Sequence, residues 1–117
     1  MRFEVRSEVF EITFVNNYVR EEYQKMLDVV DELTELPSKM QEAANDKALI
    51  KELRKNQKDY IHQIGDLRRE ILVEILTTNG YEYDERFWMR KTDVDDINNF
   101  VLDCIRKDVK ASESKKK

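Results

Sequence analysis

Between residues 38 and 78, apolar side chains recur at alternating steps of three and four, with no proline and only one glycine in the stretch. We call these apolar positions the seam: Leu49, Leu53, Tyr60, Ile64, Leu67, Ile71 and Ile75. This spacing places them on one side of a helix, and most residues between them are charged. The pattern predicts a long amphipathic helix over 38–78, either continuous or broken into two near Asn45 and Asp46. Because the spacing is close to a heptad repeat, we expect the seam to pack against another helix of the same or a different molecule.

The first 15 residues follow a different period. Apolar residues take alternate positions in two runs, Phe3 and Val5, then Phe10, Ile12 and Phe14. A period of two with aromatic and β-branched residues is typical of strands, so residues 1–15 are predicted to form one strand or a hairpin that turns near residues 6–8. An isolated hairpin is marginal in water, and its open edges can pair with a second copy. We therefore predict that these five apolar residues, or alternatively the helix that follows them, mediate self-association.

Local signals set the expected ends of the helices. Asn16 and Asn17 carry side-chain oxygens suited to capping a helix, and the apolar positions that follow predict a first helix over 17–36. It is expected to stop there because the residue before Pro37 is driven out of the helical region. The long helix is expected to end at Gly80, which can adopt the left-handed conformation that closes a helix.

An aromatic segment and a last helix are predicted over 81–108. Tyr81, Tyr83, Phe87 and Trp88 lie within eight positions, and Asp84 is expected to cap a short turn that carries the last two. The structural interpretation is a lid over the end of the long helix. The functional interpretation is a docking surface, because tyrosine and tryptophan are enriched among residues that carry interface energy.

Composition supports a mainly α-helical bundle. The chain has 117 residues, 39% of them charged, with two glycines and one proline, so its elements should be long. We expect one domain over 1–108, followed by a flexible polar tail over 109–117. No apolar run approaches the roughly twenty residues that span a bilayer, no signal peptide is visible, and there is one cysteine, so we expect a cytoplasmic protein without membrane contact.

Candidate catalytic groups are few. His62 is the only histidine and has no second histidine or nearby cysteine to complete a site, and Cys104 has apolar neighbours at helical spacing. The acidic run 93–96 lacks the central glycine and distal glutamate of a calcium loop. We therefore expect no enzyme activity, no metal site and no cofactor.

Nucleic acid is not the expected partner. The net charge is −4 and the signs are interspersed, whereas affinity for nucleic acid comes mainly from neutralising phosphates. Basic residues do cluster on the polar side of the long helix, interrupted by acidic ones: Lys47, Lys51, Arg54, Lys55 and Lys58. A small regulator that binds DNA or RNA through this face is therefore kept as an alternative.

The second half of the chain resembles a known group of proteins. Residues 71–88 read ILVEILTTNGYEYDERFW, and the Asp-rich run DVDDINNF follows at 93–100. Over residues 65–108 the chain resembles small proteins encoded among the tail genes of Gram-positive siphophages and prophages, the group that includes the tail assembly chaperones. The resemblance implies a helical, self-associating chaperone that coats the tape measure protein before the tail tube polymerises. It also implies a longer form made by translational frameshifting, for which the terminal lysines 115–117 would fit a slippery site.

A chaperone for an elongated helical client should offer an apolar groove between helices. On this basis we assign a client or partner surface to part of the seam and to the aromatic segment: Tyr60, Ile64, Leu67, Ile71, Tyr81, Tyr83, Phe87 and Trp88. A coiled-coil-type adaptor or structural subunit unrelated to phage tails would use the same residues, and the sequence leaves that alternative open.

Overall fold

The computed structural model describes the backbone of residues 2–115 and the side chains of residues 2–106. In chain order the elements are β1 (Arg2–Val5), β2 (Glu8–Glu11), α1 (Asn17–Glu42), α2 (Lys47–Thr78), a π-helical turn (Arg86–Arg90) and α3 (Val94–Lys115). The predicted mainly α-helical class with an N-terminal hairpin is confirmed. The backbone of α3 is described to Lys115, and the prediction of a flexible tail over 109–117 concerns residues whose side chains lie outside the described part.

The N-terminal segment is an antiparallel hairpin. Phe3 lies opposite Phe10 and Val5 opposite Glu8, so the connecting loop consists of Arg6 and Ser7 alone. Both loop residues have positive φ, +50° for Arg6 and +70° for Ser7. A two-residue loop of this kind matches the right-handed twist of the strands, but it normally uses Asn-Gly because other side chains disfavour the left-handed region.

Replacing the two loop residues by residues that tolerate positive φ is expected to stabilise the protein. In the double variant Arg6→Asn/Ser7→Gly, each left-handed position receives a residue that tolerates it. We expect the free energy of unfolding to rise by about 1 kcal/mol, measured by urea denaturation followed by circular dichroism. The control Ser7→Ala keeps a side chain at positive φ and should give no gain. Equal stability of Arg6→Asn/Ser7→Gly and the parent chain would contradict the strained turn.

The first helix does not stop before the proline, and its predicted end at Leu36 is wrong. α1 continues through Pro37 to Glu42, with the proline ring exposed. Leu36 is 2% exposed and shares a core cluster with Ala43, to which Leu33 and Met40 also pack. Leu33, Leu36 and Met40 lie on one side of α1, next to Ala43 of the following turn, only if the helix runs on past Pro37. Burying each large side chain contributes about 1.5–3 kcal/mol, so together they outweigh the roughly 3 kcal/mol that an internal proline costs.

The stretch 38–78 is not one continuous helix, because its first residues, up to Glu42, belong to α1. Residues 43–46 form the turn between the helices, and α2 begins at Lys47. The carboxylate of Asp46 accepts a hydrogen bond from the backbone N–H of Leu49 at 3.1 Å, which caps the new helix. The break between the two helices therefore lies near Asn45 and Asp46, where the two-helix alternative predicted it.

The described contacts group into two compact units. The terminal unit consists of Met1–Glu21 and Glu70–Lys117, and the middle unit consists of Glu22–Arg69. In the terminal unit, fully buried side chains come from the linker after β2, from the end of α2, from the π-helical turn and from α3. The largest of them are Ile12, Ile71, Leu72, Ile75, Leu76, Trp88 and Ile97. The middle unit has a smaller core of Leu36, Ala43 and Leu53, with Leu33, Met40, Ile50 and Tyr60 packed against it.

The seam is hidden from water along most of its length. Four of its positions are buried in this chain: Leu53, Ile64, Ile71 and Ile75. Tyr60 and Leu67 are half-buried, and Leu49, at the start of α2, is 40% exposed. Other parts of the same chain therefore bury four positions of the seam fully and two partly, and leave Leu49 exposed.

Candidate interaction surfaces

The aromatic segment that follows α2 packs around Phe10 of β2. The ring centroid of Phe10 lies 5.2 Å from that of Tyr81, 5.3 Å from Trp88 and 6.1 Å from Phe87. Trp88 in turn lies 5.2 Å from Phe100 of α3. The Phe10–Tyr81 and Phe10–Phe87 pairs meet edge to face, which is a favourable arrangement of ring quadrupoles. This aromatic cluster joins the hairpin, the π-helical turn and α3.

Part of the predicted partner surface therefore packs inside the chain, as the interpretation of the aromatic segment as a lid expects. Ile64, Ile71 and Trp88 are buried, with Trp88 only 1% exposed. Apolar side chains that can be enclosed by their own chain gain the free energy of burial without the entropy cost of association. As a correction to the assigned surface, these three are enclosed by the chain itself. The other five positions are half-buried and partly accessible: Tyr60, Leu67, Tyr81, Tyr83 and Phe87.

A similar correction applies to the residues assigned to self-association. Phe3, Val5 and Ile12 are buried in the chain, and Phe10 is half-buried in the aromatic cluster. Phe14 is 54% exposed because β2 ends at Glu11, so the period-two pattern no longer dictates its direction. Of the five, Phe14 is the side chain with a large exposed apolar surface.

Asn79 has a role that the sequence did not suggest. Its Oδ1 accepts hydrogen bonds from the backbone N–H groups of Thr13 (2.8 Å) and Phe14 (3.1 Å). Its Nδ2 donates to the carbonyl oxygens of Phe14 (2.9 Å) and Ile75 (2.7 Å). One amide side chain thus holds the linker after β2 against the end of α2. An Asn before a helix-ending glycine signals a turn, but its partners in the linker lie more than sixty positions away and leave no local signal.

The end of α2 closes as predicted. Gly80 has φ +86°, its N–H bonds to the carbonyl of Thr77 (3.2 Å), and the N–H of Tyr81 bonds to that of Leu76 (2.8 Å). This is the Schellman arrangement, which requires a left-handed residue at this place. It directs Tyr81 back toward the hairpin, where its hydroxyl accepts the N–H of Glu11 at 2.7 Å.

The middle unit carries a shallow groove of about 470 Å³. The groove is lined by Lys25, Asp28, Val29, Gln63, Asp66 and Leu67, from α1 and α2. Val29 and Leu67 are half-buried and supply its apolar floor, while charged side chains form the rim. Leu67 was assigned to the partner surface from its seam position, whereas Val29 was missed because it falls outside the most regular apolar face of the first helix.

Charge at the groove is partly fixed by the fold. Lys25 Nζ lies 2.9 Å from Oε1 of Glu22, a residue that is almost fully buried. Burial lowers the pKa of the neighbouring Arg68 guanidinium from its ordinary value. An arginine starts so far above neutral pH that it keeps its charge. The rim therefore presents both signs around an apolar floor.

The candidate catalytic residues occupy unremarkable positions. His62 is exposed on α2, and Cys104 is fully buried among apolar side chains of the terminal unit. Among residues 2–106, no group of three or more His, Cys, Asp or Glu side chains is placed to hold a metal ion. Within the described helices, none is long and apolar enough to cross a membrane.

The clustered basic residues in the first part of α2 point to solvent. Lys47, Lys51, Arg54, Lys55 and Lys58 are exposed, and so are the acidic residues that alternate with them, Glu52 and Asp59. Such alternation is typical of a solvated helix face rather than of a phosphate-binding one.

Comparison with protein-family models, with curated proteins and with solved structures found no significant match to this chain.

Proposed function

We propose that the protein is a non-enzymatic assembly chaperone of the phage tail type, which associates with itself and binds an elongated helical client, a tape measure protein, in the cytoplasm of a bacterial host. The class is suggested by the sequence resemblance over residues 65–108. The surface of the middle unit supports binding to another helix.

The observation that carries this proposal is the apolar surface that the middle unit leaves uncovered. Its two helical segments enclose a small core, and the groove floor of Val29 and Leu67 remains accessible. Leu49, at the start of α2, is 40% exposed. A further amphipathic helix lying along this unit would cover apolar groups that the chain itself does not cover, as in helix-in-groove recognition.

Co-expression with the tape measure protein provides the test. The chain should co-purify with that client, and the variant Leu67→Arg should retain about tenfold less of it. The reason is that a bulky charge on the groove floor removes apolar contact worth roughly 1–2 kcal/mol. Retained client is measured by quantitative gel densitometry after affinity capture.

Ile61→Arg is the matched control, because it makes the same chemical change at a more exposed position that does not line the groove. It should retain the client at the parent level. Equal losses in Leu67→Arg and Ile61→Arg would assign the effect to net charge and reject the groove.

An adaptor or structural subunit outside phage tails is the second candidate, because the same groove would serve it. Capture of the tape measure protein alone supports the chaperone. If the groove takes up unrelated amphipathic helices equally well and the tape measure protein stays insoluble, the adaptor is the better description.

A further inference from the structure

The hairpin has one covered edge and one open edge. Along β2 and the linker that follows it, the N–H of Glu11 is bonded to the hydroxyl of Tyr81, and the N–H groups of Thr13 and Phe14 are bonded to Asn79. These contacts satisfy the backbone donors on that side. Within the described part of the chain, no second strand pairs with the other edge of β1, and no side chain is bonded to the backbone of Arg2 or Glu4.

The register shows which backbone groups of β1 face outward. In an antiparallel pair, opposite residues alternately do and do not exchange backbone hydrogen bonds, and the pair flanking a two-residue loop does exchange them. Val5 and Glu8 flank the loop here, so Phe3 also bonds to β2, and Arg2 and Glu4 direct their N–H and C=O groups away from it. The outward N–H of Glu11, which lies opposite Arg2, agrees with this alternation.

A groove of about 370 Å³ runs along this open edge. On one side it is lined by five consecutive residues, 2–6, and on the other by one stripe of α3, namely Asp96, Asn99, Phe100 and Asp103. A groove over the face of a strand would be lined by alternate residues, so lining by consecutive residues places it along the edge. A strand edge facing a helix across a groove is the arrangement by which extended peptides are bound as an added strand.

The helix wall of this groove is acidic at both ends, and the exposed amide of Asn99 and the buried ring of Phe100 lie between them. Asp96 and Asp103 are exposed, and neither forms an ion pair or hydrogen bond within residues 2–106. Between them Phe100 is buried against Phe3, with ring centroids 5.3 Å apart. The side of an added strand that faces α3 would therefore meet a carboxylate, then an uncharged stretch, then a second carboxylate.

We propose that this edge binds an extended peptide segment of a partner protein as a third strand, and that the segment carries two basic residues four positions apart with an uncharged residue midway between them. The two carboxylates are seven residues apart on a helix, ~10 Å, and residues four apart on a strand span ~13 Å, which flexible basic side chains can match. The backbone groups of Arg2 and Glu4 supply the pairing. Arg2 and Arg6 also line the groove, but Phe3 faces α3, so the alternation along β1 turns the Arg2 side chain to the other face, and Arg6 lies in the loop at one end. On the side that faces α3, Asp96 and Asp103 therefore supply the preference for basic side chains. This inference concerns the terminal unit and does not depend on the proposed function.

A second copy of β1 fits the groove less well. Its own outward groups belong to Arg2 and Glu4, so it would have to pair through these residues and turn Phe3 and Val5 toward α3. Two apolar side chains would then face the two carboxylates of the helix wall. The geometry therefore favours a basic partner segment over self-pairing.

The test uses the full chain and a short fluorescein-labelled peptide in which lysine, isoleucine and lysine occupy alternate positions, with threonine between and around them. Fluorescence anisotropy should show saturable micromolar binding. A peptide with glutamate in place of both lysines should bind at least about tenfold more weakly. Equal binding of the two peptides would overturn the assigned charge preference.

N-methylation separates strand pairing from simple charge attraction. Methyl groups on one set of alternate peptide amides should abolish binding, because those N–H groups face β1, and methyl groups on the other set should leave it within about twofold. If both methylated peptides bind alike, the peptide is not an added strand and the proposal fails.

Protein variants locate the site. Asp96→Asn/Asp103→Asn should weaken binding of the lysine peptide about tenfold. The control Asp95→Asn/Glu82→Gln makes the same change in net charge at exposed positions outside the groove and should not weaken it.

A second pair of variants tests strand pairing. Glu4→Pro removes an outward N–H of β1 and should also weaken binding, whereas Val9→Pro, at the opposite residue on the other edge, should not. Circular dichroism checks that each variant is folded.

Self-pairing is the competing outcome. Concentration-dependent dimerisation in light scattering that Glu4→Pro abolishes, and that the lysine peptide does not reverse, would assign the open edge to a second copy. That result would overturn the proposal.

Discussion

Replacing Trp88 with alanine is expected to lower the free energy of unfolding by about 3–5 kcal/mol, the range for deleting a large aromatic side chain from a packed core. Trp88 is 1% exposed and contacts the rings of Phe10, Phe87 and Phe100. Because domains of this size are stable by about 5–15 kcal/mol, the loss is a large part of the total. Urea denaturation followed by tyrosine fluorescence and circular dichroism measures it.

Phe14→Ala is the matched control for this experiment. It also deletes an aromatic side chain from the terminal unit, but Phe14 is 54% exposed. Its free energy of unfolding should change by no more than about 0.5 kcal/mol. If Trp88→Ala cost less than about 1 kcal/mol, the aromatic cluster would not be the centre of the terminal unit.

Replacing Asn79 with alanine is expected to cost about 2 kcal/mol, because two backbone N–H groups and two carbonyl oxygens lose their partner together. The linker is partly exposed, so water takes over some of these bonds and keeps the loss below that of a fully buried network. Hydrogen exchange should show faster exchange at the amides of Thr13 and Phe14, while the amides of α3 stay protected.

Asn17→Ala serves as the control for Asn79→Ala. It removes the same amide group at an exposed position in the first turn of α1, where Asn16 already caps the helix by accepting the N–H of Val19 at 3.0 Å. Stability should fall by less than about 0.5 kcal/mol. If the amides of Thr13 and Phe14 exchange as slowly in Asn79→Ala as in the parent chain, Asn79 does not hold the linker against α2.

Features set by neighbouring residues were predictable from the sequence. Asn16 caps α1, Gly80 ends α2 in the left-handed conformation, and Asp84 accepts the backbone N–H of Arg86 at 3.0 Å at the start of the π-helical turn. Each depends on a side chain or a φ value acting within four residues. Rules of capping and turn chemistry are sufficient for such features.

Features set by distant residues were not predictable in the same way. Pro37 signals the end of a helix, but the packing of Leu36 with Ala43 and Leu53 outweighs that signal. The sequence marks Trp88 as aromatic without saying whether its ring faces inward or outward, and Phe10 decides this from 78 positions away. Hydrophobic periodicity identifies which residues prefer burial, and the tertiary fold decides which elements cover them.

The groove beside β1 could not be found from sequence alone. Asp96 and Asp103 look like ordinary solvated residues of an N-terminal helical turn and a helix face. Only the hairpin register shows that Arg2 and Glu4 leave backbone groups free opposite them.

The hydrogen bonds between Asn79 and the linker after β2 have a consequence during synthesis of the chain. The hairpin leaves the ribosome well before its partners in the aromatic cluster and α3, which lie more than sixty residues further along the chain. The middle unit depends on contacts close in sequence and can form earlier, because short-range contacts close quickly. A nascent chain therefore carries Phe3, Phe10 and Ile12 uncovered until α3 has emerged, which is the interval in which premature chain–chain pairing is most dangerous.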